Sequence, residues 1–107
     1  MKITFSVNNI PIRLSQERIR HISNRHPEML QDDRRIVETI GTPDLVQQGD
    51  VGTFLAIKKY KYTPVTREKY LVVIYRETSS TDSFVLTAYY TNKPRKRVIL
   101  YERNIKS

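Results

Sequence analysis

The chain has 107 residues, of which 38% are hydrophobic and none is cysteine. This length suits a single domain over residues 1–107, and the hydrophobic content excludes a disordered chain. The lack of cysteine excludes disulfides, thiolate catalysis and cysteine-based zinc sites. No stretch has the roughly 20 apolar residues that cross a bilayer, and the first residues lack the apolar run of a signal peptide. We therefore expect a cytoplasmic protein with no membrane partner.

The positive charge is concentrated in the second half of the chain. Residues 1–50 contain seven Lys/Arg and seven Asp/Glu, whereas residues 51–107 contain twelve and four, which accounts for the whole net charge of +8. A concentrated positive field attracts polyanions and steers their encounter with the protein. The charge therefore predicts a nucleic acid or an acidic protein as the partner.

The first half of the chain predicts two strands followed by two helices. The segments "ITFSV" and "IPIRL" are separated by the turn-like "NN". Ser15 offers an N-cap oxygen for a helix over about residues 16–25, which ends before Pro27 because the residue before a proline disfavours the α conformation. A second helix is expected over about residues 32–40, with Gly41 as its C-cap. Its apolar stripe comprises Ile36, Val37 and Ile40.

The second half of the chain predicts only strands. They are "DLVQQG", "GTFLAIKKYKY", "KYLVVIYR", "SFVLTAYYT" and "RVILYE", separated by polar or glycine-containing turns. The continuous apolar run in "KYLVVIYR" is typical of a central strand that is buried on both faces. Helices followed by antiparallel strands indicate the α+β class. We expect two N-terminal helices packed on a four- to five-stranded antiparallel sheet, with a frayed tail over residues 103–107.

Both histidines of the chain lie in the segment "RIRHISNRHPEM", residues 18–29. Helical spacing produces two stripes, which are Arg18, His21 and Arg25 on one side and Ile19, Ile22 and His26 on the other. His21 is therefore expected on a basic face in contact with solvent. His26 is expected toward the core, where it would bond a backbone carbonyl and pack beside Met29.

The surroundings of His21 favour phosphate chemistry. An imidazole can both remove and donate a proton near neutral pH. Arg18 and Arg25 would stabilise the charge that develops on a phosphoryl group. This combination suits attack of a ribose 2′-hydroxyl on its own phosphate, without a cofactor. The two histidines point about 140° apart around the helix, so no metal site is expected. The alternative interpretation of His21 is an ordinary surface histidine.

The strand "SFVLTAYYT" contributes hydroxyl and aromatic side chains. Alternation places one set of residues on a face that we expect to be accessible, namely Ser83, Val85, Thr87, Tyr89 and Thr91. Thr87 would hydrogen-bond a phosphate oxygen, and Tyr89 would stack on a base or donate its hydroxyl. The alternative is that threonine and tyrosine are present only because they favour strands.

Basic residues of the second half are candidate RNA contacts. The segment "AIKKYKY" interleaves lysine with tyrosine, which is typical of single-strand binding but also of an edge strand protected by lysine. The strand "KYLVVIYR" begins and ends with a cation, and the turn "NKPRKR" would either add phosphate contacts or dock an acidic inhibitor. The candidates are Lys58, Tyr60, Lys69, Arg76, Arg95 and Arg97.

The order of these segments resembles the barnase–EndoU–colicin–RelE (BECR) superfamily of metal-independent ribonucleases. The resemblance rests on "ERIRHISNRHPEM", "PDLVQQGD", "KYLVVIYRE" and "FVLTAYYT" followed by a basic turn, and it spans about Leu14 to Tyr101. It is a resemblance of pattern and order. Within the superfamily, the chain is most similar to small phage- and bacterium-associated nucleases with an H-x3-R helix and a late Thr/Tyr strand.

The resemblance implies a RelE- or barnase-like fold and a toxin-like endoribonuclease that leaves a 2′,3′-cyclic phosphate. The matching positions are His21 and Arg25 for the H-x3-R pair, Thr87 for the strand hydroxyl, and Lys69, Tyr89 and His26 for further site positions. It also implies a small acidic antitoxin or immunity protein as a partner besides RNA. The alternatives are a non-catalytic nucleic-acid-binding module and a basic protein-interaction domain.

Overall fold

The computed structural model describes residues 1–79 and 81–103, and within them it contains seven strands and two α-helices. The strands are β1 (Lys2–Phe5), β2 (Pro11–Leu14), β3 (Leu45–Gln48), β4 (Thr53–Tyr60), β5 (Lys69–Arg76), β6 (Phe84–Thr91) and β7 (Ile99–Glu102). Helices α1 (Gln16–Arg25) and α2 (Asp33–Gly41) follow β2, with a 3-10 turn at Pro27–Met29 between them. The tail predicted to be frayed lies outside the described residues, apart from Arg103.

The seven strands form one curled sheet in the order β1-β2-β6-β5-β4-β3-β7. Neighbouring strands are antiparallel except β2 and β6, which run parallel and pair only at Arg13 and Phe84. The predicted fold class, α+β with two helices on a four- to five-stranded antiparallel sheet, was therefore wrong. The fold is mostly β, and its sheet is larger and mixed. The N-terminal hairpin and β7 both join the sheet through pairings between residues distant in sequence, which local patterns do not encode.

Local signals explain where α1 begins and how closely the end of α2 approaches the sheet. The Ser15 side chain accepts a hydrogen bond from the Arg18 amide at 3.1 Å, which confirms the predicted N-cap of α1. Gly41 is the last residue of α2 rather than its C-cap. A Cβ at Gly41 would lie 2.9 Å from the Thr4 hydroxyl oxygen, so this glycine allows α2 to approach β1 closely.

The main core lies between the helices and one face of the sheet. The central strand β5 directs Leu71 and Val73 into this core and Val72 to the opposite face, and all three side chains are at most 1% exposed. The prediction of a strand buried on both faces is confirmed. The opposite face carries a smaller apolar cluster that includes Leu55 and Ile57. No helix within the described residues is long and apolar enough to cross a membrane.

A polar network joins α2 to the sheet. The Tyr90 hydroxyl donates to the Asp32 carboxylate and accepts from Arg35 at 3.2 Å. The Tyr60 hydroxyl donates to a carboxylate oxygen of Glu38 at 2.6 Å. These bonds satisfy polar groups in a partly buried layer, where an unpaired group would be costly.

Three tyrosines of this fold predict a loss of stability at alkaline pH. Burial, followed by the hydrogen bond to Asp32, raises the pKa of Tyr90 from 10.0 to about 12. Burial also raises the pKa of Tyr60 and of Tyr75. The unfolded chain releases these protons at lower pH than the folded chain does, so the free energy of unfolding should fall as the pH rises through about 10 to 12.

Urea unfolding at about pH 8, 10 and 11.5 measures this dependence. Tyr90→Phe should be less stable at neutral pH, because it removes a bonded hydroxyl, and its stability should fall less steeply above pH 10.0. Tyr62 is 72% exposed, so Tyr62→Phe serves as the matched control for the loss of a tyrosine hydroxyl and should leave the stability at neutral pH nearly unchanged. An unchanged slope in Tyr90→Phe would contradict the assignment.

Candidate active site

An open cleft of about 700 Å³ lies between α1 and the sheet. Its floor is formed by side chains of β4, β5 and β6 on the face opposite the main core. One wall is α1 with the residue that follows it, and the other is the segment between β6 and β7, residues 92–98, which we name the crossing segment. We name the whole feature the cleft.

The α1 wall carries both histidines. Ile19 and Ile22 are buried and anchor the helix to the core, while His21 and Arg25 are exposed and line the cleft. His26 follows the last helical residue and also lines the cleft. The helix reaches this position because it contacts β6. The predicted basic stripe of the helix therefore lines the cleft, together with Ile22 and His26 of the second stripe.

His26 lies beside an aromatic side chain of the floor. Its ring centroid is 5.8 Å from that of Tyr89, and the two planes are tilted by 31°. Its Nδ1 lies 3.9 Å from a carboxylate oxygen of Glu28, which is too long for a hydrogen bond. The side chain keeps 33% of its surface exposed, so it lies in the cleft and not in the core where we predicted it.

The β6 part of the floor departs from simple alternation. The register of β6 against β5 shifts by one residue at Leu86, which therefore lies in the cleft. The predicted accessible face was wrong for Ser83 and Val85, which are both fully buried. Beyond the shift the alternation holds, and the residues that line the cleft are Thr87, Tyr89 and Thr91.

The crossing segment forms the other wall because of the strand order. β7 pairs with β3 at the far side of the sheet from β6, so the chain must pass over the sheet to reach it. The buried Gln47 holds the segment in place, since its side-chain amide donates to the Arg95 carbonyl at 2.9 Å. The Gln48 amide donates to the Val98 carbonyl at 2.8 Å. The basic residues that this brings to the cleft are Lys93, Arg95 and Arg97.

The cleft is strongly cationic. Its lining contains five basic side chains, which are Arg18, Arg25, Lys93, Arg95 and Arg97, and no carboxylate from any residue that the structure describes. None of these five makes an ion pair with another side chain in residues 1–79 and 81–103. A concave surface lined by one sign of charge concentrates ligands of the opposite sign.

Two thirds of the residues predicted for the site share this cleft, namely Arg18, His21, Arg25, His26, Thr87, Tyr89, Arg95 and Arg97. Lys58 and Tyr60 do not. The Lys58 ammonium donates to the Thr42 carbonyl at 2.8 Å, and the Tyr60 hydroxyl donates to Glu38. Both side chains are therefore engaged with α2 or the residue that follows it, away from the cleft.

Lys69 and Arg76 also lie outside the cleft, at opposite ends of β5. The Lys69 ammonium donates to the side-chain oxygen of Asn92. Arg76 lies beside the turn at Gly52, where an added Cβ would be 3.1 Å from its guanidinium. The sequence placed these cations at the two ends of a strand, but it did not show that both lie outside the cleft.

The apolar part of the floor was not predicted as part of a site. It consists of Leu55, Val72, Ile74 and Leu86. In the sequence, the first three belong to runs that indicate buried strands, and nothing marks the register shift that exposes Leu86. These residues form a cleft floor only because the folded chain places the crossing segment beside the sheet, and the sequence does not indicate this arrangement.

Comparisons of the chain with protein-family models, with curated proteins and with solved structures found no match. The resemblance to the BECR superfamily therefore stays a prediction. The function has to be inferred from the residues of the cleft.

Proposed function

We propose that the protein is a metal-independent endoribonuclease that cleaves RNA in the cleft. The observation that carries this proposal is that two imidazoles, two threonine hydroxyls and five basic side chains line the same open cleft. Imidazoles transfer protons at neutral pH, and basic side chains bind phosphates. Their combination on one surface matches what phosphodiester cleavage by a neighbouring hydroxyl requires.

The two histidines supply proton transfer. In the proposed reaction the ribose 2′-oxygen bonds to the adjacent phosphorus, and the bond from phosphorus to the 5′-oxygen of the next nucleotide breaks. One imidazole, which we assign to His21, removes the 2′ proton. The other, His26, protonates the departing 5′-oxygen. The products are a 2′,3′-cyclic phosphate and a free 5′-hydroxyl, and the steps balance without water or an oxidant.

The remaining cleft residues bind and stabilise the reacting phosphate. Arg25 is exposed on the same wall as His21 and would stabilise the negative charge that develops on the phosphate oxygens. Thr87 would donate its hydroxyl to a phosphate oxygen from the floor. Tyr89, next to His26, would stack on the base beside the cleaved bond. Lys69 has no role in this proposal because it lies outside the cleft.

The lining also favours single-stranded RNA and a reaction without metal. An apolar floor below basic walls suits bases directed inward and phosphates directed outward. Carboxylates, which Mg²⁺ prefers as ligands, are absent from the described lining residues. We extend the proposal to a cytoplasmic protein that is toxin-like and is neutralised by a small acidic antitoxin or immunity protein, since the cleft favours acidic ligands.

A non-catalytic nucleic-acid-binding module is the second candidate. The basic walls and the apolar floor would bind a single strand even if neither imidazole transferred a proton. This alternative requires the same surface, so binding measurements alone cannot separate it from the nuclease.

Incubation of end-labelled RNA with the protein in excess EDTA separates these candidates. The nuclease predicts fragments with 2′,3′-cyclic phosphate ends, loss of cleavage in His21→Ala and His26→Ala, and slower cleavage in Thr87→Ala. Intact RNA that is retained in a salt-sensitive manner would support the binding module. RNA that neither binds nor is cut would contradict both and leave a basic protein-interaction domain.

The crossing segment gives a further prediction for RNA affinity. In a His21→Ala background, which keeps the RNA intact, Arg95→Gln with Arg97→Gln should weaken binding to single-stranded RNA. The slope of log affinity against log salt should become shallower by about 0.7 for each lost phosphate contact. Lys96→Gln is the matched control, because Lys96 is exposed between these two residues but does not line the cleft. Fluorescence anisotropy over a salt series measures the slopes, and equal effects of both changes would place the RNA elsewhere.

A further inference from the structure

The strand β7 forms one edge of the sheet and exposes apolar side chains. Ile99, Leu100 and Tyr101 are 52%, 50% and 38% exposed, and the preceding Val98 is 63% exposed. In the described part of the chain, β7 pairs with β3 on one side and has no paired strand on the other. The opposite edge strand, β1, differs because α2 contacts it.

An exposed apolar edge of this kind is uncommon in a protein that stays monomeric. The backbone groups of an edge strand can pair with another chain, and proteins usually protect such edges with lysine, proline or a covering helix. The run from Val98 to Tyr101 contains neither a charge nor a proline, and three of its four residues are of types that favour strands. These features indicate a surface that another strand covers.

The charge around β7 indicates the chemistry of that strand. Arg95, Lys96 and Arg97 precede β7 and make no ion pair within the described residues, whereas Glu102 ends the strand and Arg103 is paired with Asp44 at 3.1 Å. A second copy of the chain that pairs in parallel at this edge would bring a second set of the same cations close to the first. Repulsion between the two sets disfavours parallel self-pairing, whereas acidic residues beside an apolar strand are attracted to the cations that precede β7.

We propose that β7 binds an extended segment of an acidic protein, which adds an eighth strand to the free edge of the sheet. Backbone hydrogen bonds to β7 would supply affinity, as in other cases of strand addition. Apolar residues of the segment would cover Ile99 and Tyr101 on one face and Leu100 on the other. Its acidic residues would lie beside the crossing segment.

The position of β7 couples this surface to the cleft. Arg95 and Arg97 lie just before β7 in the chain, and both line the cleft. An acidic flank that binds these two guanidinium groups competes with RNA phosphates for them. Binding of the added strand to β7 does not require that the protein cleaves RNA. Inhibition of RNA cleavage by that strand, however, rests on the proposed function.

A synthetic peptide tests the surface without RNA. The probe is a fluorescein-labelled Val-Thr-Val-Thr-Val segment followed by four glutamates, which places the acids near Arg97 when the peptide pairs antiparallel to β7. We expect saturable binding by anisotropy and slower hydrogen exchange of the β7 amides. The same peptide with proline at its central position has equal charge but cannot pair, and it should bind at least about tenfold more weakly.

Two protein variants of equal charge complete the experiment. Leu100→Lys places a lysine on the edge, whereas Val51→Lys places one in a turn where the native side chain is 94% exposed. Leu100→Lys should lose at least about tenfold in peptide affinity, despite its extra positive charge, and Val51→Lys should not.

Equal affinities of these two variants, equal binding of the proline peptide, or no binding at all would overturn the proposal. A dimer in sedimentation that Leu100→Lys abolishes would overturn it in favour of self-pairing. Because no RNA is present, a failure of the proposed nuclease activity leaves these outcomes unchanged. If the nuclease assay succeeds, adding the peptide should also slow RNA cleavage by the wild type but not by Leu100→Lys.

Discussion

Replacing His21 with alanine should slow RNA cleavage by about 10²–10⁴-fold, the usual contribution of a positioned general acid or base. His21 is exposed on the α1 wall, so its removal leaves no cavity in the core. We therefore expect unchanged folding and nearly unchanged RNA affinity. The loss should lie in the rate of the chemical step, which single-turnover kinetics with excess protein measures directly.

The pH dependence of that rate distinguishes a proton-transfer role from a structural one. If His21 and His26 act as base and acid, the wild-type rate should follow a bell-shaped pH profile, and each alanine variant should lose one limb of the bell. Asn24→Ala is the matched control, since Asn24 is exposed on α1 but does not line the cleft. A His21→Ala variant that cleaves within about threefold of the wild type would remove His21 from the mechanism.

Leu71→Ala should lower the free energy of unfolding by about 2–5 kcal/mol. Leu71 is fully buried on the helix side of β5, between β4 and β6. Truncation removes packing contacts and leaves a cavity in the core that joins the helices to the sheet. Since folded proteins are stable by only about 5–15 kcal/mol, this change removes a large part of the total.

Urea denaturation measures this loss as a lower midpoint with an unchanged slope. Val51→Ala truncates a side chain that is 94% exposed, and it should change stability by no more than about 0.5 kcal/mol. The α1 wall and the β6 floor of the cleft are held together by this core, so Leu71→Ala should also lose RNA cleavage at a lower temperature than the wild type. A cost below about 1 kcal/mol would show that the core does not couple the helices to the sheet.

The sequence predicted the elements of this fold better than their assembly. The cap at Ser15 and the helix end before Pro27 depend on neighbouring residues, and each predicted strand segment forms a strand. The sheet order depends on pairings between distant residues. The parallel contact of Arg13 with Phe84 and the addition of β7 to β3 have no local signature, and the predicted fold class was wrong for this reason.

The residues of the candidate site were predictable where the regular repeat of a helix or a strand sets the direction of the side chains. Helical spacing placed His21 and Arg25 on one wall, and strand alternation placed Thr87 and Tyr89 on the floor. The predicted accessible face was wrong at Val85. The one-residue register shift at Leu86 reverses the face of the sheet on which the preceding residues of β6 lie.

Two of the basic-strand candidates lie outside the cleft for a different reason. Lys58 and Tyr60 were selected by composition, which does not show the face of the sheet on which a residue lies. Their partners Thr42 and Glu38 come from another part of the chain, at or just after α2. Composition predicted a nucleic-acid ligand, and only the folded arrangement shows which basic residues line the cleft.

A DNA oligonucleotide that contains a single ribonucleotide tests the central proposal most directly. After incubation with the protein in excess EDTA, mass spectrometry identifies the position of the cut and the chemistry of the new ends. The proposal predicts one cut, on the 3′ side of the ribose, with a 2′,3′-cyclic phosphate, and no cut by His21→Ala. A cut in an all-deoxy strand, or a new end that carries a 3′-hydroxyl, would contradict it, because neither reaction uses the 2′-hydroxyl.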